Sequence, residues 1–189
     1  VMCVYGFFCE RMVDMATRIG ANVVPLRADW GNSFPAEMLE AELKKHPNVK
    51  MVTAIHAETS TGVLQPLQEI GARCREHGIL LLVDAVTSVG GVELAVDDWG
   101  IDICYSGSQK CLGVPPGLAP VTISDRALGV VAERVTPRTD DTTRACLKKA
   151  CGAVSPVSVL AVTSTERADC APHKDEWIVP TQHLHSDSI

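Results

Sequence analysis

The sequence predicts an α/β fold, a mainly parallel sheet held between helices, on three observations. Short apolar runs alternate with amphipathic helical segments over roughly the first 135 residues. Residues 79–83 are apolar throughout, without the alternation of a half-exposed strand, which is the pattern of a strand covered on both faces. Glycines and prolines stand at the joints between segments, where helices start and stop.

Residues 1–5 form a short apolar run. The helix after it carries Phe8, Met12, Met15, Ala16 and Ile19 on one face, expected to point inward, and Gly20 stops it. Residues 22–25 read as the next strand. Pro35 opens a second helix with Leu39 and Leu43 one turn apart. Lys44, Lys45 and His46 suit its C-terminal end, where cations oppose the helix dipole. Residues 51–55 are a strand, and Pro66 starts a third helix with Leu67, Ile70 and Cys74 inward and Gly78 as its stop. Residues 79–83, 101–105 and 119–123 supply three more strands. Ser124 or Asp125 then caps a helix bearing Leu128, Val131 and Val135. The order is βαβαβαβββα, and in such sheets ligands gather outside the carboxyl ends of the strands.

From residue 136 the chain is rich in Thr, Ser, Asp and Cys with no sustained apolar period, and only residues 153–162 suit a strand or short helix. The expected division is therefore one domain over 1–137 and a divergent, poorly structured tail over 138–189.

At 189 residues, with 46% apolar and 21% charged side chains, the chain has the composition of a soluble globular protein with one real core. A net charge of −6 leaves no basic footprint, which argues against a nucleic-acid partner. No apolar stretch approaches membrane-spanning length, and residues 1–20 lack the pattern of a signal peptide, so no membrane partner and an intracellular location are expected. The 8 cysteines are scattered without a CxxC pair. Reduced thiols used as small apolar residues are the expectation, with Cys74 and Cys104 buried. No metal is expected, since Glu93, Asp97 and Asp98 lie past the turn after Asp84 without ligand spacing.

Two residues stand out chemically. Asp84 ends the apolar run at 79–83, and Lys110 follows the next one. An amine and a carboxylate at the ends of neighbouring buried strands are what a pyridoxal-phosphate site requires: one holds the aldehyde, the other keeps the ring nitrogen protonated. Taken singly, each has a plainer reading. Lys110 fits a surface lysine, although Ser106, Gly107 and Ser108 make a permissive turn before it and residues 114–117 stiffen the chain after it. Asp84 fits a cap of the following turn. The hydroxyl-rich loop with Thr59, Ser60 and Thr61 fits either a cofactor contact or an ordinary turn, and His56 fits a ring cover or a packed strand residue.

Three segments decide between these readings by their combination: HAETSTGVLQP at 56–66, LLLVDAVTSVGG at 80–91 and GIDICYSGSQKCLGVPPG at 100–117. Together they closely resemble the class V pyridoxal-phosphate aminotransferases, most of all the alanine–glyoxylate and serine–pyruvate group, over residues 1–137. The resemblance implies a partial PLP-transferase large domain with pyridoxal 5′-phosphate as cofactor. It makes Lys110 the internal-aldimine lysine and the proton shuttle between substrate α-carbon and cofactor C4′. Asp84 pairs with the pyridinium nitrogen, Val86 packs on a ring face, Gln109 binds the phosphate, and Thr59 takes the place of a cofactor-contacting serine. The implied reaction is ping-pong transfer from alanine or serine to glyoxylate or pyruvate, a small amino acid and a 2-oxo acid, in a homodimer.

Relatives also have a phosphate-cradling turn and a stacking aromatic in an N-terminal stretch, and a C-terminal domain whose arginine grips the substrate carboxylate. None of Arg134, Arg138, Arg144 and Arg167 lies in a segment resembling that domain. Impaired transamination is expected, with a catalytically inactive isoform that associates with full-length subunits as the alternative. A cysteine-desulfurase-like lyase would need a mobile cysteine, and Cys146, Cys151 and Cys170 lie in the unmatched tail. Peroxisomal, mitochondrial and cytosolic forms occur among relatives, and Asp187, Ser188 and Ile189 do not spell a peroxisomal address.

Overall fold

The uninterrupted apolar runs become the middle of a sheet, as their lack of alternation predicts. A computed structural model describes residues 1–133 and 159–163. The elements are β1 (Met2–Val4), α1 (Phe7–Arg18), β2 (Pro25–Arg27), α2 (Ala36–Lys45), β3 (Met51–Ile55), β4 (Ala57–Glu58), β5 (Val63–Leu64), α3 (Gln68–Glu76), β6 (Leu80–Asp84), β7 (Ile103–Tyr105), β8 (Leu118–Ile123), α4 (Asp125–Glu133) and β9 (Val159–Thr163). The main sheet runs β2-β1-β3-β6-β7-β8-β9, and β4 with β5 forms a separate hairpin. Every pair from β2 to β7 is parallel, while β8 runs antiparallel to both β7 and β9.

Val52, Ala54, Leu81 and Val83 are the dry centre, with Leu39 and Leu43 of α2 and Ile70 and Cys74 of α3 joining the same core. The inward faces expected for α2 and α3 are thus observed. So are both helix stops: Gly20 and Gly78 adopt positive φ, +86° and +67°, which side chains with a Cβ rarely take. Ser124 resolves the capping choice at α4, because its Oγ accepts the Ala127 N–H at 3.1 Å. Val135 lies outside the described residues. In the tail, β9 falls largely within the one stretch expected to form structure.

Three boundaries and one face differ from expectation. β2 begins at Pro25 instead of ending there, α3 begins at Gln68 with Leu67 buried beneath its first turn, and β7 is shorter than 101–105. The hairpin β4–β5, two residues per strand, is too short to carry a periodic signal. In α1 the inward residue is Cys9, with Met12 and Val13 beside it, whereas Phe8, Met15 and Ile19 are exposed. The reason is a tether. The buried Glu58 carboxylate accepts the Cys9 N–H at 3.1 Å and the Cys9 thiol at 3.2 Å, which keeps the Cys9 side chain on the inward face and leaves the larger apolar stripe outside.

α3 sits against the turn at 95–100 so closely that a Cβ at Gly71 would stand 1.7 Å from the Trp99 carbonyl oxygen. Because backbone would have to move, Gly71→Ala is expected to destabilise the fold by about 3 kcal/mol, the upper end for overpacking. The check is a lowered urea midpoint at unchanged slope; an unchanged midpoint would show that the turn yields freely.

Candidate active site

Parallel pairing brings the chemistry together. The β3–β6 register runs from Met51↔Leu80 to Ile55↔Asp84, and Asp84 is in turn level with Tyr105 on β7. Three adjacent strands therefore end at one edge. The loops leaving them carry Thr59, then Val86 and Thr87, then Gln109 and Lys110. Beside them, between β1 and β3, the winding reverses: α1 leads from β1 outward to β2, whereas α3 leads from β3 the other way to β6. Such a switch point opens a crevice between diverging loops.

Side chains fasten these loops to one another. Thr59 Oγ1 donates to Thr87 Oγ1 at 3.3 Å, and Thr87 donates to the Ala57 carbonyl at 2.8 Å. Ser106 Oγ donates to the Ala85 carbonyl at 3.3 Å. A Cβ on Gly91 would lie 2.4 Å from Cys111 Sγ, so this glycine admits the loop that bears Lys110. Ser108 closes that loop, donating to the Pro115 carbonyl at 2.7 Å and accepting the Leu118 N–H at 3.3 Å. The serines of the turn before Lys110 are thus buried pins. Gln109 and Lys110 themselves are exposed, so the described residues do not bury the amine.

Asp84 is half-buried with both oxygens engaged. Oδ1 accepts the Val86 N–H at 2.9 Å, the turn cap expected of a strand-ending aspartate, and Oδ2 accepts the Tyr105 hydroxyl at 2.5 Å. Capping and ligand binding are compatible, because each carboxylate oxygen has a second acceptor direction.

The start of α1 adds to the same edge. Glu58 is fully buried; besides Cys9 it accepts the Ser60 N–H at 3.0 Å and the Ser60 hydroxyl at 2.8 Å. Burial alone would push this carboxyl up, but the hydrogen bonds from Ser60 and Cys9 outweigh it and hold the group below the usual carboxylate range. Gly6 has no room for a Cβ, which would lie 2.3 Å from Glu58 Cγ. Phe7 donates its N–H to Ser60 Oγ at 2.9 Å, and the exposed Phe7 and Phe8 rings meet edge to face at 5.5 Å. Tyr5, buried beneath, hydrogen-bonds both the Ile55 carbonyl and the Ile55 N–H, binding β1 to the end of β3.

Several groups stay out of the chemistry. His56 is buried, edge to face with Trp99 at 5.9 Å, and burial lowers its imidazole below the usual value, so it is uncharged at neutral pH. Cys3, Cys9, Cys74 and Cys104 are free and buried, with burial raising Cys3 and Cys74 to about 12 and Cys104 to about 11. These are inert thiols. Cys146, Cys151 and Cys170 lie outside the described residues.

The structure brings Thr59, Asp84, Val86, Gln109 and Lys110 to one edge of the sheet. Sequence reasoning missed Thr87, Glu58 and Tyr105. All three are in the motifs already quoted, and the signal for Tyr105 is its place at the end of the strand next to Asp84. Amine, carboxylate, hydroxyls and side-chain amide carried at one edge make a donor set that fits pyridoxal phosphate: an acceptor for a ring N–H, a nucleophile for an aldehyde and neutral donors for anionic oxygens.

Comparison with known proteins agrees. The sequence model of the family Aminotransferase class-V matches residues 9–150. The (S)-ureidoglycine–glyoxylate transaminase of Bacillus subtilis is 45% identical over 131 residues, covering 69% of this chain and 31% of that protein. The alanine–glyoxylate aminotransferase of Oryctolagus cuniculus is 41% identical over 131 residues, covering 69% and 33%. The crystal structure of an alanine–glyoxylate aminotransferase from Nostoc sp. superposes with a TM-score of 0.73 at 42% identity, covering 83% of this chain and 42% of that one. The chain spans about a third of the length of the curated relatives it matches. On sequence and fold alike, this chain belongs to the class V aminotransferases.

Proposed function

We propose that the chain is the cofactor-binding core of a pyridoxal-phosphate-dependent transaminase that moves an amino group from alanine or serine to glyoxylate or pyruvate. The observation that carries this reading is the placement of Asp84 at the end of β6 and of Lys110 on the loop leaving its parallel neighbour β7, at one sheet edge. Glyoxylate as acceptor draws support from the relatives, since both the Bacillus subtilis and the Oryctolagus cuniculus enzymes are named for it. Residues 1–137 form the partial large domain in this proposal and 138–189 the divergent tail. The homodimer implied by the resemblance belongs to the same proposal. Among the described residues, no helix is long and apolar enough to cross a membrane.

When bound, pyridoxal phosphate supplies an electron sink beside the substrate α-carbon. Lys110 would hold its aldehyde carbon and would carry the proton between the substrate α-carbon and C4′. Asp84 would accept the ring N–H and keep that nitrogen protonated. Val86 would cover one ring face, Gln109 would donate to the phosphate, and Thr59, braced by Thr87, would donate from the third loop.

The test is a titration of the purified chain with pyridoxal phosphate, followed by borohydride reduction and peptide mass spectrometry. The expected result is a yellow band and a pyridoxyl group fixed on Lys110. A folded chain that stays colourless at saturating cofactor overturns the reading and favours the alternative, a catalytically inactive isoform that associates with full-length subunits. Amino-group transfer is then assayed with alanine, serine and ureidoglycine as donors to glyoxylate, and with pyruvate as second acceptor.

A further inference from the structure

We infer that Tyr105 is a positioning residue for Asp84, its phenol holding the carboxylate ready to accept the ring N–H of pyridoxal phosphate; this rests on the cofactor reading proposed above. Tyr105 and Asp84 are register partners on β7 and β6, and paired residues of neighbouring strands project to the same face of a sheet. The hydroxyl donates to Oδ2 at 2.5 Å while the Val86 N–H donates to Oδ1 at 2.9 Å. One donor comes from the adjacent strand and the other from the turn after Asp84 itself. Together they fix the plane of the carboxylate as well as its direction. An O–H···O⁻ separation of this size is that of a charge-assisted bond.

The phenol is a dependable donor. Burial, and then the hydrogen bond to Asp84, push it well above the usual tyrosine value, so it keeps its proton across the working pH range. The gain is preorganisation: the acceptor is already aimed, and no reorientation is needed when a ring arrives. Each oxygen retains a lone pair for that ring.

The discriminating experiment compares Tyr105→Phe with the parent chain, each titrated with pyridoxal phosphate and with its 1-deaza analogue, in which C–H replaces the ring nitrogen. Lacking that nitrogen, the analogue has nothing for Asp84 to grip. The variant is expected to lose on the order of tenfold in affinity for pyridoxal phosphate, about 1.4 kcal/mol, and less than about twofold for the analogue. Retained analogue binding shows at the same time that the variant is folded. Equal losses for both ligands, or no loss for either, overturn the positioning role and leave the cofactor reading standing. No binding of either ligand to the parent chain overturns the cofactor reading itself, and this inference with it.

Discussion

Lys110→Ala is expected to abolish covalent capture of pyridoxal phosphate. The yellow band disappears, borohydride fixes no pyridoxyl group on the chain, and any measurable transamination falls by roughly 10²–10⁴-fold from the lost proton transfer alone. The effect is confined to chemistry, because Lys110 is exposed at the tip of a loop that Ser108 closes without it. Surface substitutions of this kind shift stability by no more than about 0.5 kcal/mol. The urea midpoint of the variant should therefore match the parent. Fixation on another lysine, Lys50 for instance, would move the site and remove Lys110 from the mechanism.

The second large effect concerns the fold beneath the site. Asp102 is 4% exposed and stands at the entrance to β7. Its carboxylate accepts the Leu81 N–H at 2.9 Å, the Ser124 hydroxyl at 2.8 Å and the Arg126 Nε–H at 2.9 Å, and a second N–H of Arg126 meets Oδ2. One side chain thus completes the β6–β7 ladder and anchors the start of α4. Asp102→Ala leaves the buried Leu81 N–H and the Ser124 O–H without their acceptor and reduces the Arg126 guanidinium to its bond with the Ile79 carbonyl. With Arg126 a little over a third exposed, its share is discounted for solvent screening. The expected loss is about 3 kcal/mol, the low end for breaking a buried pair.

The pH dependence of that loss has a definite sign. Burial alone would raise the Asp102 carboxyl, but the Arg126 guanidinium first, then the Leu81 N–H and the Ser124 hydroxyl, hold it below the usual carboxylate range. A carboxyl depressed in the folded state stabilises above its unfolded pKa, about 3.9, and loses that contribution as pH falls through the folded value. The difference between parent and Asp102→Ala should therefore be full at pH 7 and shrink in acid. A gap of constant size down to about pH 2 would show that the bonds to Asp102 do not depend on its charge.

Much of this was legible in the chain itself. The apolar residues of α2 and α3, the doubly covered run that became β6, the helix stops at Gly20 and Gly78, and the placement of Asp84 and Lys110 at strand ends all follow from local periodicity and turn chemistry. Those signals work because each depends on residues within a turn or two. The face of α1 was misjudged for the complementary reason. Its apolar stripe at Phe8, Met15 and Ile19 is real, but a carboxylate 49 positions away holds Cys9 against the sheet.

By itself, the sequence determined an α/β chain of a recognisable family with an amine and an acid at neighbouring strand ends. Only the tertiary structure decided that Tyr105 holds that acid from 21 positions away, that Glu58 pins Cys9 at the start of a helix, and that Asp102 ties two strands to a third element. Periodicity records which side of an element is dry. It carries no information about which polar atoms meet across elements, because those meetings depend on strand register and on the packing of the whole sheet.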